Sequence, residues 1–258
     1  IGSLRTALFN YLIAKKLDGS FVLRIEDTDR ERFVEGGVEN IIQTLDWAGI
    51  QVDEGPYLDE GKNIAQKGES GPYVQSQRLD IYKKHVQKLL EKGDAYYCFC
   101  SKERLSELRK KQEETKQPTG YDGHCRGMNK KDLEEKLNSG IPFVIRLAVP
   151  KEGKTTFTDA ILGDISFDNS IIDDQVLMKA DGFPTYHLAV VVDDHLMGIT
   201  HISRGSEWLP STPKHILLYI MFGWEIPVYA HQPLLVNEKK QKLSKRHGDV
   251  SVKDFKEK

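Results

Sequence analysis

A basic run near the end of the sequence combines residue types that suit phosphate chemistry. Residues 241–248 are Gln-Lys-Leu-Ser-Lys-Arg-His-Gly, so Lys242, Lys245 and Arg246 fall within five residues, beside small or polar side chains. Such a loop could wrap a triphosphate, because lysine ammonium groups neutralise the charge that develops on departing pyrophosphate. A solvated basic loop without any such role is the alternative, and the run alone does not decide between the two.

The three cysteines form a second group of potential ligands. Cys98 and Cys100 are separated by one residue, and Cys125 follows in the same part of the chain. Three thiolates and a fourth donor, Tyr121 or His124, could complete a tetrahedral zinc site. The spacing is not that of a standard zinc finger, so strand cysteines in a reducing cytosol are the alternative. An odd number of cysteines argues against a secreted disulfide framework.

Alternating helix and strand patterns must position these groups. An apolar stripe over residues 4–12 predicts a helix, residues 21–25 a buried strand and residues 38–48 a second helix. The glycine and proline content of residues 53–73 predicts a loop. This order of elements favours an α/β fold with a parallel sheet.

The middle of the chain differs from its two ends in composition and in its pattern of predicted elements. Residues 95–170 contain all three cysteines, a highly charged helix and a strand at about 143–149. Regular α/β patterns return after residue 171, where Thr212 and Pro213 predict the start of another helix. We therefore predict an inserted subdomain between two halves of one α/β domain.

The composition is that of an ordinary globular protein. Hydrophobic residues make up 39% and charged residues 29% of the 258 residues. No apolar run approaches the roughly 18 residues that a membrane span requires, so we expect no membrane association. The odd number of cysteines favours a cytoplasmic location. The formal net charge of −2 gives no overall electrostatic footprint for nucleic acid, so any such contact would need local basic surface.

Further motifs occur in the order of a known family. Lys-Leu-Ser-Lys-Arg at 242–246 resembles the Lys-Met-Ser-Lys-Ser loop of class I aminoacyl-tRNA synthetases, and Arg-Ile-Glu-Asp-Thr-Asp at 24–29 resembles its glutamyl-specific segment. Other matching segments are 53–56, 71–76, 121–123, 181–186, 191–194 and 204–208. They cover essentially the whole chain, which is therefore similar to the catalytic core of bacterial-type glutamyl-tRNA synthetases.

The resemblance implies a fold and a reaction. The fold would be a Rossmann-type parallel-sheet catalytic domain, residues 1–94 and 171–258, with an inserted α+β subdomain, residues 95–170, that binds the tRNA acceptor end. The reaction would be ATP-dependent ligation of L-glutamate to tRNA(Glu) through a glutamyl-adenylate, releasing AMP and diphosphate, in protein translation. Mg²⁺ would accompany ATP, and the enzyme would be a monomer.

The resemblance also implies a glutamate pocket. Glutamate presents one ammonium and two carboxylates, so Glu26 would take the ammonium, Arg204 would grip a carboxylate and Tyr186 would supply a hydroxyl. Without the resemblance, Glu26 and Arg204 would more often belong to a structural ion-pair network and Tyr186 to a core. Val190 stands where the family's best-known pocket has an asparagine.

Residues for ATP and zinc follow from the same resemblance. The residues that would bind ATP are Gly2, Glu207, Trp208, Leu235, Lys242, Leu243, Ser244, Lys245 and Arg246, of which Lys242 and Lys245 would be catalytic. Zinc would be held by Cys98, Cys100, Tyr121 and Cys125, although Gly127 replaces a histidine of some relatives.

The chain departs from the family at its ends. The first signature, a His-Ile-Gly-His-like box after a strand, is present only as residues 1–3, so we expect that the strand and its histidine are missing and that this fragment is inactive. The anticodon-binding domain of such enzymes would follow residue 258.

Three other functions stay open. A tRNA-modifying glutamyl-queuosine enzyme shares the core, but Lys245-Arg246 and the long 53–75 segment favour the ligase. A glutaminyl enzyme is disfavoured because residues 24–27 differ from its usual Phe-Asp-Asp version. A non-catalytic RNA-binding or regulatory module is favoured by the incomplete first signature and disfavoured by the retained Arg204, Glu207, Lys242 and Lys245.

Overall fold

The computed structural model describes residues 2–29 and 34–236, together with Val252. The helices in these ranges are α1 (Gly2–Lys16), α2 (Gly37–Trp47), α3 (Leu79–Lys92), α4 (Lys102–Glu114), α5 (Lys130–Asn138), α6 (Tyr186–Leu196) and α7 (Thr212–Phe222). The strands are β1 (Gly55–Leu58), β2 (Ile64–Lys67), β3 (Ala95–Cys98), β4 (Val144–Leu147), β5 (Lys154–Asp159), β6 (Gly163–Asp168), β7 (Val176–Met178), β8 (His201–Gly205) and β9 (Val228–Gln232). None of these helices is long and apolar enough to cross a membrane.

The strands form three sheets. β1 and β2 are an antiparallel hairpin, and β4 lies between β3 and β7 in an antiparallel sheet. The third sheet has the order β6-β5-β9-β8, in which β5 and β6 are antiparallel whereas β5, β9 and β8 run parallel. Helices that alternate with partly parallel strands confirm the predicted α/β class.

Two of the sheets join the predicted insertion to the rest of the chain. β7 pairs with β4, and β5 pairs with β9 through the register of Asp159 with Tyr229. The division at residue 170 stays a prediction, and strands on both sides of it share sheets. The β5–β6 hairpin therefore lies beside the strands that follow the insertion.

The N-terminal part packs around a small core of its own. Leu4, Ala7 and Tyr11 of α1 pack against a cluster that includes Phe21 and Leu45. Two other members of the predicted stripe, Leu8 and Leu12, are 41% and 51% exposed, so only part of the stripe is buried. A second link joins α1 to β8, because the Asn10 amide donates to the Ser203 carbonyl (2.8 Å) and accepts from the Ser203 N–H (3.2 Å).

Residues 21–25 form parallel bridges instead of the regular strand that the sequence predicts. Val22 bridges to Glu54 and Ile25 to Val74, with N–H···O distances of 2.9 Å from Leu23 to Glu54 and 2.8 Å from Ile25 to Tyr73. The two partners come from separate segments, so no continuous ladder forms. This arrangement nevertheless fixes where residues 24–29 leave the bridged segment.

The predicted loop at 53–73 was wrong, because it contains the β1–β2 hairpin. Gly55, the first residue of β1, and Gly68, the residue after β2, have φ angles of 132° and 112°. A side chain at Gly55 would also collide with the backbone carbonyl of Leu23. These glycines mark the ends of a hairpin and its close approach to the neighbouring segment, and not a structureless connection.

The main core lies between helices and the β3-β4-β7 sheet. Helices α3, α6 and α7 contribute Tyr82, Leu89, Leu188, Val192 and Leu218, which are at most 1% exposed. Two predicted helix ends agree with the structure: α3 ends at Gly93 in the left-handed conformation (φ 79°), and Pro213 lies in the first turn of α7. Residues of the candidate site extend from the ends of α6, β8 and α7.

Candidate active site

Arg204 lies on β8 with its guanidinium buried among neutral side chains. Nε donates to His231 Nε2 (3.1 Å), Nη2 donates to Thr212 Oγ1 (2.8 Å), and Nη1 lies 3.3 Å from His215 Nδ1. The parallel register of β8 with β9 aligns Arg204 with His231, while α7 supplies Thr212 and His215. Among the residues that the structure describes, no carboxylate forms an ion pair with Arg204.

Tyr186 begins α6 beside this arginine. Its ring lies 4.8 Å from that of Trp208, measured between centroids. Burial and the Glu26 charge, opposed by the Arg204 charge, together raise the pKa of Tyr186 to about 12. The Tyr186 hydroxyl therefore lies within electrostatic reach of Glu26 and Arg204, and the three residues predicted to bind glutamate converge.

Glu26 is held by an arginine that the sequence analysis did not select. Arg24 donates from Nη2 to Glu26 Oε1 (3.2 Å) and from Nη1 to Asp194 Oδ1 (2.8 Å). Burial lowers the pKa of Arg24, but the charges of Asp194, Glu26 and Asp193 outweigh it and raise the pKa. The Arg-x-Glu spacing was the available signal, because residues i and i+2 share a face of extended chain.

Asp193 anchors α6 to the preceding segments through three buried donors. It accepts from Gln75 Nε2 (2.9 Å), Arg78 Nε (2.8 Å) and the Tyr82 hydroxyl (2.7 Å). Burial, together with the Asp193 charge, raises the pKa of Tyr82, which keeps that hydroxyl protonated as a donor. The network fixes the helix that carries Tyr186 at one end and Asp194 at the other.

Two histidines near Arg204 were also missed by the sequence analysis. His187 Nδ1 lies 3.0 Å from His215 Nε2. Burial, followed by the charges of Lys214 and Arg204, lowers the pKa of His187 to about 4, and burial with Arg204 holds the pKa of His215 well below its usual value. Both rings are neutral at physiological pH, so His215 can offer Arg204 a nitrogen lone pair.

The residues predicted to bind ATP are only partly within the described structure. Gly2 is exposed at the start of α1, Glu207 and Trp208 are exposed in the turn of 3₁₀ helix at Ser206–Ser211, and Leu235 is half-buried. Val190 is buried in α6, where it contributes to the main core. The remaining predicted ATP ligands are the loop residues Lys242, Leu243, Ser244, Lys245 and Arg246, which lie outside the described residues.

The three cysteines and Tyr121 come together as a separate cluster. The sulfur atoms lie within 4.8 Å of one another, with 3.6 Å between Cys100 and Cys125. The Tyr121 oxygen lies 3.3 Å from Cys98 Sγ and 3.5 Å from Cys100 Sγ. A zinc–sulfur bond of about 2.3 Å implies sulfur atoms about 3.8 Å apart around a tetrahedron, so the four donors fit a zinc ion.

The surroundings of the cysteines favour one thiolate in particular. Burial disfavours ionisation of Cys98, but hydrogen bonds from Tyr121 and the Cys100 N–H, with the nearby Arg146, lower its pKa below the usual value. Burial raises the pKa of Cys100 to about 11, with Tyr121 opposing and the other two cysteines reinforcing the rise. A bound dication would reverse that rise, because it stabilises coordinated thiolates.

The sequence matches a known protein family along its whole length. Residues 1–258 match the family model described as tRNA synthetases class I (E and Q), catalytic domain. The chain belongs to this family, and its mixed α/β fold is that of a class I synthetase catalytic domain.

Individual relatives are similar over the whole chain. It is 56% identical over 258 residues to the glutamate–tRNA ligase of Clostridioides difficile, covering 100% of this chain and 52% of the relative, and 54% identical over 255 residues to that of Alkaliphilus metalliredigens, covering 99% and 52%. The crystal structure of a glutamate tRNA ligase from Elizabethkingia meningosepticum in complex with its amino acid is 40% identical, with a TM-score of 0.87, covering 96% of this chain and 49% of that one. The chain thus spans about half the length of the relatives it matches.

Proposed function

We propose that the protein ligates L-glutamate to tRNA(Glu) in translation, using ATP and passing through a glutamyl-adenylate. The observation that carries this proposal is that the Tyr186 hydroxyl lies within electrostatic reach of an anion, Glu26, and of a buried cation, Arg204. The relatives named glutamate–tRNA ligase support the same substrate. AMP and diphosphate would be the other products.

The two charged residues of the pocket each suit a group of opposite charge on glutamate. Arg204 uses three of its five N–H donors on His231, His215 and Thr212, so two remain for a carboxylate and the Tyr186 hydroxyl. Glu26, oriented by Arg24, would take the ammonium. Glutamine would leave the arginine facing a neutral amide, and one lost bond to a charged group corresponds to roughly 10–100-fold discrimination.

The rate enhancement would come mainly from holding the reacting groups of glutamate, ATP and tRNA close together. The α-carboxylate of glutamate attacks the α-phosphorus of ATP, a P–O bond forms, and diphosphate leaves. A ribose hydroxyl at the tRNA end then attacks the acyl carbon, and AMP leaves with the bonding electrons. Mg²⁺ bound to the phosphates would neutralise their charge.

The ATP site would be built from the residues around Trp208 and from the basic loop. Gly2, Glu207, Trp208 and Leu235 would contact adenosine or phosphate groups. Lys242 and Lys245 would act on the triphosphate, assisted by Leu243, Ser244 and Arg246.

Replacing Lys245 by alanine in the full-length protein should slow adenylate formation roughly 10²–10³-fold with a smaller change in ATP affinity. Single-turnover assays with tRNA present measure this rate. A normal rate of adenylate formation in the variant would mean that the loop is a solvated loop without a catalytic role.

Aminoacylation assays with both labelled amino acids test the central proposal. The full-length protein should attach glutamate to tRNA(Glu) and reject glutamine. Efficient charging with glutamine would refute the pocket assignment, and absence of charging with either amino acid, in protein that binds tRNA, would favour a non-catalytic RNA-binding module.

The cysteine cluster would hold one structural zinc ion. Its ligands would be Cys98, Cys100, Cys125 and Tyr121, and its role would be to order residues 95–170, which would approach the acceptor end of tRNA. Elemental analysis of protein purified without chelator should give about one zinc per chain, and less than a tenth would leave the cysteines as ordinary structural residues. We further propose that the enzyme acts as a cytoplasmic monomer.

A further inference from the structure

Behind Arg204 lies a buried carboxylate that reaches it only through a histidine. Asp159, at the end of β5, is 1% exposed, and His231 on β9 is fully buried. Asp159 Oδ2 accepts from His231 Nδ1 (2.6 Å), and His231 Nε2 accepts from Arg204 Nε (3.1 Å). The carboxylate, the imidazole and the guanidinium thus form one continuous hydrogen-bonded chain.

The two oxygens of Asp159 share the backbone N–H of His231, which lies 3.3 Å from Oδ1 and 3.1 Å from Oδ2, and differ in their other partners. Oδ1 accepts from the backbone N–H groups of Ile161 and Leu162, both at 3.0 Å. Oδ2 faces His231 and accepts from its backbone N–H (3.1 Å) as well as from its ring. Every group that faces Asp159 in this set donates, so the carboxylate orients His231 with a proton on Nδ1 and a lone pair on Nε2.

The ionisation states agree with that geometry. Burial would raise the pKa of Asp159, but the bonds from His231, Leu162 and Ile161 lower it, so the carboxylate is ionised. Burial lowers the pKa of His231 against the opposing effect of Asp159, so the ring is neutral near pH 7. A neutral ring with Nδ1 protonated is an acceptor toward Arg204.

We infer that Asp159 and His231 are positioning residues for amino-acid recognition: Asp159 fixes the tautomer of His231, and His231 Nε2 holds the Arg204 guanidinium in the orientation that grips the substrate carboxylate. The inference rests on the proposed function, because it requires that Arg204 bind the amino acid. It also gives the β5–β6 hairpin, which the sequence analysis assigned to the tRNA-binding insertion, a part in the amino-acid site.

Replacing Asp159 by asparagine would disturb this series of hydrogen bonds without changing the volume of the side chain. Its oxygen would remain with the two turn N–H groups, and its NH₂ group would face His231. That NH₂ would donate to Nδ1 and move the ring proton to Nε2, where it would oppose the Arg204 Nε–H. The arginine would then lose one of its three neutral acceptors.

The test compares Asp159→Asn, His231→Asn and His231→Gln in the full-length protein. Asparagine at 231 can keep the bond to Asp159 but places no acceptor at the Nε2 position, whereas glutamine places an amide oxygen there. Steady-state charging should show the KM for glutamate raised about 10–100-fold in His231→Asn and Asp159→Asn, since one bond to a charged group is lost. The KM for ATP should change less than about threefold, and His231→Gln should recover most of the glutamate affinity.

Control variants separate positioning from folding and from the proposed function. His85 is a buried histidine of α3 beside Phe222 and Trp224, so His85→Asn and His85→Gln should leave the KM for glutamate unchanged. If His231→Gln is as impaired as His231→Asn, or if both substrates lose affinity equally, the positioning role is wrong. If the unaltered full-length protein does not charge glutamate, the proposed function fails. If Arg204→Lys leaves the KM for glutamate unchanged, Arg204 does not bind the substrate and the inference fails with its pocket; if Arg204→Lys raises this KM while His231→Asn does not, only the positioning role fails.

Discussion

Arg24 and Arg204 are both largely buried, and their guanidinium groups have partners of different charge. Arg24 contacts three carboxylates, those of Asp194, Glu26 and Asp193. Arg204 donates to two imidazoles and a hydroxyl. The first arginine is charge-compensated within the fold, whereas the second keeps its hydrogen-bond geometry without a neutralising partner in the described residues.

This difference separates a structural cation from one suited to bind a ligand. A buried charge that is hydrogen-bonded but not paired costs free energy of folding. An anionic ligand that binds only the folded state returns part of that cost. The two arginines therefore predict different responses to mutation, ligand and pH.

The largest expected effect is on stability when Arg24 is removed. Arg24→Met leaves Asp194 buried without its arginine, and breaking a buried ion pair in this way costs about 3–5 kcal/mol. Arg204→Met removes an uncompensated cation, so its loss should be smaller than that of Arg24→Met. Urea unfolding of both variants measures the difference. Equal losses would mean that Arg204 is as much a structural cation as Arg24.

The second prediction concerns stabilisation by the amino acid. If Arg204 binds a carboxylate of the substrate, glutamate at 100 times its Kd should stabilise the protein by about 2.7 kcal/mol. Glutamine at the same concentration should stabilise it much less. Thermal unfolding with and without each amino acid measures this. The shift should vanish in Arg204→Met; a shift that survives there would locate binding elsewhere.

The smallest expected effect is the pH dependence that the histidines around Arg204 impose. The pKa of His187 falls from an ordinary value of 6.5 to about 4 on folding, because of burial and the nearby cations Lys214 and Arg204. Its contribution to stability is complete above pH 6.5 and is lost as the pH falls toward 4, since the unfolded chain then binds a proton that the folded chain rejects.

The measurement is urea unfolding at pH 6.5 and pH 5. The free energy of unfolding should fall over this interval, and His187 should account for up to about 2 kcal/mol of the loss. In the variant His187→Gln, the free energy of unfolding should fall less between pH 6.5 and pH 5, and the difference from the unaltered protein should equal the His187 contribution. An unchanged pH dependence in His187→Gln would show that the ring takes up its proton in the folded state.

Local signals were enough for some elements and not for others. The end of α3 at Gly93 and the start of α7 near Pro213 depend on residues within one turn of helix, and both agree with the prediction. The β1–β2 hairpin was missed because glycine and proline mark a turn without showing what pairs around it. Exposure of Leu8 and Leu12 could not be foreseen from periodicity, which defines a face and not what packs on it.

The candidate site shows the same limit at longer range. Glu26, Tyr186 and Arg204 were identified through motif resemblance, and the structure brings them together. The partners of Arg204 were not identified, because His231 lies 27 residues after Arg204 and Asp159 lies 72 residues before His231. Only the pairing of β5 with β9 places that carboxylate behind that histidine.

The ion pair between Arg24 and Asp194 also limits when the fold can be completed during synthesis of the chain. The two residues are 170 positions apart. At roughly 5–20 residues per second, a ribosome needs about 10–30 s to make the intervening chain. Throughout that interval Arg24 lacks its carboxylate partners on α6, whereas the apolar residue before it, Leu23, packs on the small core of Phe21, Leu45 and Ile50, which is already made. The ion pairs that join Arg24 to α6 can therefore form only late in synthesis, after the residues of the N-terminal core have all been made.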